Sequence, residues 1–193
     1  MNQRESPPRK RPVLCVFCGS SLGIDPAYAE ATRRFGALAA GRGFDIVFGG
    51  GGVGLMGELA TAAIAHGAHV LGVIPDFLRK VEAPIESITE LVVTPDLNTR
   101  KTRMFEAAGG FAILAGGLGT LDELTEALTG AQLHTHTKPI VIVNTKGFFD
   151  PFLAAIDHAV AQGFADGTVR GLFHVVATPE DAVNLLAETY ASK

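Results

Sequence analysis

Seven short runs built almost entirely from Val, Ile, Leu and Phe recur at residues 12–17, 44–48, 69–74, 90–94, 111–115, 139–144 and 173–177. Stretches with Ala- and Leu-rich helical spacing lie between most of them, at about residues 26–42, 53–66, 97–109, 120–132, 150–162 and 179–190. Because the strands are continuously apolar rather than alternating, both of their faces should be buried, as in a parallel sheet covered by helices. The pattern predicts an α/β fold: a doubly wound, Rossmann-like parallel sheet with helices on both faces, in one domain. Ligands in such sheets bind beyond the carboxyl ends of the strands. Here those ends carry Cys18-Gly19-Ser20-Ser21, Gly49 to Gly52, Ile74-Pro75 and Ala115 to Thr120.

Composition narrows the function classes. A chain of 193 residues with 47% hydrophobic and 19% charged residues can build a full core. Its formal net charge is -4, and beyond the N-terminal segment its cations are scattered, so nucleic acid is not an expected partner. No apolar run reaches the roughly 18 to 20 residues of a bilayer span, so no membrane association is expected. Residues 1–12 lack the apolar segment of a secretory signal, which makes the cytoplasm the expected compartment. With their prolines and four cations they read as a disordered basic tail, and residues 13–193 as the domain.

Cys15 and Cys18 have C-x-x-C spacing, but they fall on a strand, where positions three apart point to opposite faces. They are read as packing residues, not a redox pair. The pairs His66/His69 and His134/His136 have no second cysteine pair to complete a structural zinc site, so no metal is expected. His134 and His136 are read as loop residues between a helix and a strand.

The chemistry concentrates at Leu114 to Glu123, where a strand meets a helix through a glycine turn. Glycines let backbone N–H groups converge on an anion, and the helix start adds partial positive charge, so this turn should hold a phosphate. The run Gly49 to Gly57 is read as a second turn of the same kind. Within it, Gly52 to Gly57 spells G-x-G-x-x-G with Asp76 downstream, a dinucleotide fingerprint. Its place on the second strand and the four glycines Gly49 to Gly52 argue against NAD. Arg100, Lys101 and Arg103 open a helix, where cations oppose the dipole and invite a compensating anion. Glu123 has two readings: it completes a Thr120-x-x-Glu123 capping box, or it faces a developing positive charge such as a ribosyl oxocarbenium ion.

Taken together, CGSS at Cys18 to Ser21, GGGGVGLMG at Gly49 to Gly57, VIP at Val73 to Pro75, RKTRM at Arg100 to Met104, GGLGTLDE at Gly116 to Glu123 and AQLHTHTKP at Ala131 to Pro139 resemble the Lonely Guy family. These are cytokinin-activating nucleoside 5'-monophosphate phosphoribohydrolases, long mislabelled as lysine decarboxylases. The resemblance implies hydrolysis of the N-glycosidic bond of AMP or an N6-substituted AMP to free base and ribose 5-phosphate, without a cofactor. It implies Arg100 and Glu123 as the catalytic pair. It places substrate contacts on Glu82, Arg100, Lys101, Gly116, Gly117, Leu118, Gly119, Thr120, Leu121, Asp122, Glu123 and Thr129. It further implies a homodimer with sites near the interface. Four positions depart from the family's pattern: Ala115 stands for a Pro, Asn98 for a His, Phe48 for a Tyr and Gly130 for a Trp. The alternative reading is a non-catalytic nucleotide or molybdenum-cofactor carrier.

Overall fold

In the computed structural model of the chain, which describes residues 11–79, 85 and 87–191, strands and helices alternate in the expected order. The strands are β1 (Val13–Phe17), β2 (Asp45–Phe48), β3 (Val70–Pro75), β4 (Glu90–Thr94), β5 (Gly110–Ile113), β6 (Ile140–Val143) and β7 (His174–Val176). The helices are α1 (Pro26–Gly41), α2 (Gly54–Ala65), α3 (Leu97–Ala107), α4 (Leu118–Gln132), α5 (Asp150–Ala161) and α6 (Pro179–Ala191). Local chemistry sets several starts. The Asp25 carboxylate accepts from Ala27 N at 2.9 Å with Pro26 in the first helical position, and Asp96 Oδ1 accepts from Thr99 N at 2.7 Å.

All seven strands are parallel, in the order β4-β3-β2-β1-β5-β6-β7. The strand sequence reverses between β1 and β5, so the chain leaves those two neighbours toward opposite faces, and a crevice opens at their carboxyl ends. One face packs under α1, α2 and α6 through Phe35, Phe44, Leu59 and Leu186. The other packs under α3, α4 and α5 through Phe17, Met104, Phe111, Leu124 and Phe149. Each fully buried Phe, Ile or Leu contributes roughly 1.5–3 kcal/mol, which accounts for the continuous apolar strands of the sequence. At the edges the cover thins, and Val93 on β4 and Val175 on β7 are exposed.

Cys15 and Cys18 belong to different faces of the sheet, as strand periodicity requires, and both are buried free thiols. Arg11, the first described residue, donates to Gly67 O at 2.7 Å and meets Asp45 at 3.4 Å. Among the described residues no helix is long and apolar enough to cross a membrane.

Candidate active site

The crevice at the β1/β5 switch deepens into a cavity of about 310 Å³. Its floor is the end of β1, with Val16, Phe17 and Cys18, and one wall is the turn after β5 with Gly117, Leu118, Gly119 and Thr120. Arg100 and Glu123 face each other inside it, while Ser20, Gly49, Met56, Leu78 and Leu97 complete the rim.

The turn is tight because glycine allows it to be. A Cβ on Gly116 would overlap the Thr120 side chain and lie 2.9 Å from Gly19 N, so only glycine lets the β5 turn run against the β1 loop. Gly19 N in turn donates to Ala115 O at 3.0 Å, locking the two loops together. Gly117 is the N-cap residue of α4 and contributes no side-chain cap. The first-turn amides of Leu118, Gly119 and Thr120 therefore have no intrahelical acceptor, and none meets a protein acceptor among the described residues. Together with the helix dipole they form an anion site at the cavity wall.

The helix start corrects one reading of Glu123. The sequence admits a capping box from Thr120 to Glu123, but α4 begins at Leu118, which puts both residues inside the helix rather than at its end. Thr120 is buried against Gly116, and Glu123 is free of any capping duty. Its side chain is 10% exposed and points into the cavity.

Arg100 explains why a carboxylate is tolerated there. Its Nε donates to Val73 O at 3.1 Å and its Nη2 to Gly49 O at 3.2 Å, so backbone at the ends of two strands fixes the guanidinium plane. Nη1 is left facing Glu123 Oε1 at 3.8 Å, an ion pair without a hydrogen bond. Burial pushes the Glu123 carboxyl up to about 7; the Arg100 charge opposes that rise, and Asp122 adds to it. A carboxyl that changes charge near neutrality, beside a fixed cation in a cavity, is suited to meeting charge that develops during a reaction. Burial, with the Glu123 charge second, raises the Cys18 thiol well above its ordinary range, so it lines the cavity as a neutral group.

The glycine run Gly49 to Gly57 offers a phosphate fewer amides than its sequence suggests. The amides of Leu55 and Met56, which open α2, are occupied by Ser21 O at 3.4 Å and Gly19 O at 3.2 Å. A Cβ on Gly54 would overlap the Ser20 carbonyl, and one on Gly49 would overlap Arg100 Nη2. These glycines bring backbone and guanidinium together, and protein occupies the Leu55 and Met56 amides at the α2 start. Asp76, at the dinucleotide-fingerprint position, has an exposed side chain 3.9 Å from Arg79.

Other expected site residues among those described lie apart from the cavity lining. Gly116 and Leu121 support the turn from behind, Leu121 packing against the core under α4. Lys101 and Asp122 pair with each other outside the cavity lining, at 3.0 Å. Thr129 is exposed nine residues beyond Thr120, roughly 13 Å along α4 by helix rise, and lines a separate apolar groove with Leu128, Phe152 and Ile156. Glu82 lies outside the described residues. His134 and His136 follow α4 and do not line the cavity; His136 Nε2 is 3.0 Å from Ala127 O. Met56, Leu78 and Leu97 line the cavity as ordinary apolar residues, and no spacing in the sequence distinguishes them from core.

The sequence profile of the family described as "Possible lysine decarboxylase" matches residues 56–186. The chain is 39% identical to cytokinin riboside 5'-monophosphate phosphoribohydrolase LOG1 of Arabidopsis thaliana, over 90% of this chain and 80% of that protein. It is 42% identical to LOG7 of the same plant, over 91% of this chain and 81% of that one. With the corresponding enzyme LOG of Oryza sativa subsp. japonica it shares 41% identity, over 91% of this chain and 72% of the relative. Among solved structures, the molybdenum cofactor carrier protein of Chlamydomonas reinhardtii superposes with a TM-score of 0.73 at 20% identity, covering 95% of this chain and all of that one. The molybdenum cofactor binding protein of Rippkaea orientalis gives 0.72 at 20% identity, covering 94% and 99%. At that identity the two structures establish the shared fold alone.

Proposed function

The chain belongs to the Lonely Guy family of cytokinin riboside 5'-monophosphate phosphoribohydrolases, and from that premise we propose how its Arg100–Glu123 cavity hydrolyses the N-glycosidic bond of a nucleoside 5'-monophosphate. The products are free base and ribose 5-phosphate. The observation that supports this most strongly is the pairing, inside one cavity, of a helix start whose amides meet no protein acceptor among the described residues with the buried carboxyl of Glu123.

In this reading the 5'-phosphate sits on the amides of Leu118, Gly119 and Thr120, with Arg100 reaching it from the opposite wall. Glu123, a turn further along α4, then lies beside the anomeric carbon. As the bond from C1' to the base nitrogen breaks, its electron pair leaves with the base and positive charge spreads over C1' and the ring oxygen. The Glu123 carboxylate stabilises that charge, or orients the water whose oxygen bonds to C1', and the proton that water gives up is balanced by the one the departing base takes on. Holding a dianion remote from the breaking bond uses binding energy to orient the reacting carbon. AMP and N6-substituted AMP are the proposed substrates.

Schiff-base chemistry on lysine fits this cavity poorly, since its described lining carries an arginine and a glutamate and no lysine. The carrier reading shares the fold but leaves the buried carboxylate beside Arg100 without a task. Incubating the protein with AMP and N6-substituted AMP, followed by chromatography, separates the two: free base supports hydrolysis, and bound nucleotide without product supports a carrier.

A homodimer follows from the same reading. Thr129 does not line the cavity of its own chain, and α5, though apolar in sequence, has no fully buried residue. A second copy packed on the groove between α4 and α5 would cover that face and bring its own Thr129 toward a neighbouring site. Sedimentation at micromolar concentration tests it: a single dimeric species is expected, and a monomer would contradict it.

A further inference from the structure

Lys101 is expected from the family resemblance to contact substrate, but its surroundings point elsewhere. The ammonium lies 3.0 Å from Asp122 Oδ2 and 2.6 Å from Glu126 Oε2, and the side chain is 16% exposed. It does not line the cavity. Asp122 and Glu126 are four residues apart on α4, so their carboxylates share one helix face, and Lys101 reaches across from the first turns of α3 to bridge both. The neighbouring residues on the two helices are Arg100 and Glu123, which face each other 3.8 Å apart. Further along, Met104 of α3 and Leu124 of α4 share one apolar cluster, and at this end the two polar pairs connect the helices.

Resting on the hydrolytic reading above, we propose that Lys101 is a positioning residue: it ties α3 to α4 beside the Arg100–Glu123 pair and offsets part of the charge of the two carboxylates that flank Glu123.

The groups facing Glu123 make the electrostatic consequence definite. Arg100 and Lys101 come from α3, Asp122 and Glu126 from its own helix, and the neutral thiols of Cys15 and Cys18 from β1 and the residue that follows it. Burial raises the Glu123 carboxyl, Arg100 and Lys101 lower it, and Asp122 and Glu126 raise it. Removing the ammonium leaves two uncompensated anions close to a third. Glu123 should then hold its proton to higher pH. Removing the two flanking carboxylates while keeping Lys101 should act in the opposite direction. A lysine that acts only by binding the substrate phosphate would show its loss in KM for the monophosphate and leave the acid limb of the pH profile in place.

The test is a carbon-13 NMR titration of the free protein with labelled glutamate carboxyls, the Glu123 signal being identified by its loss in E123Q. In K101M the Glu123 midpoint should rise by on the order of half a pH unit or more. In D122N/E126Q it should fall, and in K101M/D122N/E126Q it should lie between that value and the wild type, since the two carboxylates together outweigh one ammonium. The acid limb of kcat/KM for base release should follow the same order. Midpoints that stay together in all four proteins would overturn the proposal, as would a K101M whose only change is a higher KM for the monophosphate. If K101M does not fold, the downward shift in D122N/E126Q still decides. A wild-type protein that releases no base from any nucleoside monophosphate would refute the hydrolytic reading, while the titration would continue to judge the role of Lys101.

Discussion

Arg100 Nη1 stands 3.8 Å from Glu123 Oε1, close enough to attract and too far to hydrogen-bond, while the same guanidinium is anchored at 3.1 and 3.2 Å to Val73 O and Gly49 O. The cation is therefore held by the strand ends and not by its partner. Glu123 remains unclamped, with acceptor capacity directed into the cavity.

That arrangement fixes a pH dependence. If the ionised carboxylate is the working form, kcat/KM for base release should fall tenfold per pH unit below the Glu123 value of about 7. In Arg100→Lys, which keeps a charge but loses the two carbonyl anchors, the limb should move to higher pH because the cation is no longer fixed nearby. A pH–rate profile flat between pH 5 and 8 would contradict the assignment.

Stability should run the other way. A carboxyl raised from 4.5 to about 7 binds more protons folded than unfolded between those values, so stability falls as pH rises through that window. The penalty is absent below pH 4.5 and complete above about 7, at roughly 3 kcal/mol as an upper estimate. Glu123→Gln should thus raise the melting temperature at pH 8 by several degrees and change it little at pH 5. Equal shifts at both pH values would show that Glu123 is not a buried ionising group.

Gly49→Ala isolates the anchoring of Arg100. Its Cβ would overlap the tip of a long side chain, which can move, so the fold should lose no more than about 1 kcal/mol. The displaced guanidinium should lower kcat by about tenfold or more. Circular dichroism melts together with steady-state kinetics would separate these effects, and unchanged kcat would argue against the backbone anchor.

The strand and helix order was legible because burial on both faces demands unbroken apolar runs, and each of the seven runs became a strand of the sheet. Arg100 and the Gly117 to Glu123 turn were legible because glycine at a strand end and cations at a helix start both violate ordinary local preference. The roles of the glycines in Gly49 to Gly57 were not, since a turn that binds phosphate and a turn that admits an arginine and a neighbouring loop spell the same letters. The capping-box reading failed for a related reason: the T-x-x-E spacing is informative only if the helix starts at the Thr, and the Gly116-Gly117 turn starts it earlier. The pairing of Lys101 with Asp122 and Glu126 was not legible, because those carboxylates lie 21 and 25 residues away in sequence.

Dependence on the phosphate provides a further check. Adenosine lacks the group that the Leu118 to Thr120 amides would hold, so it should be turned over with kcat/KM lower by at least about a hundredfold, with kcat as well as KM affected. Adenosine and AMP compared at saturation give the answer directly, and equal kcat values would remove the anion site from the mechanism.

The most direct measurement is base release from AMP by Glu123→Gln, followed by chromatography beside the wild type at pH 8, where the carboxyl is ionised. The amide keeps the shape of the side chain and removes its charge, and Glu123 has no capping role to lose. The account predicts a folded protein that still binds AMP while releasing adenine at least about a hundredfold more slowly. Wild-type turnover by that variant would contradict it.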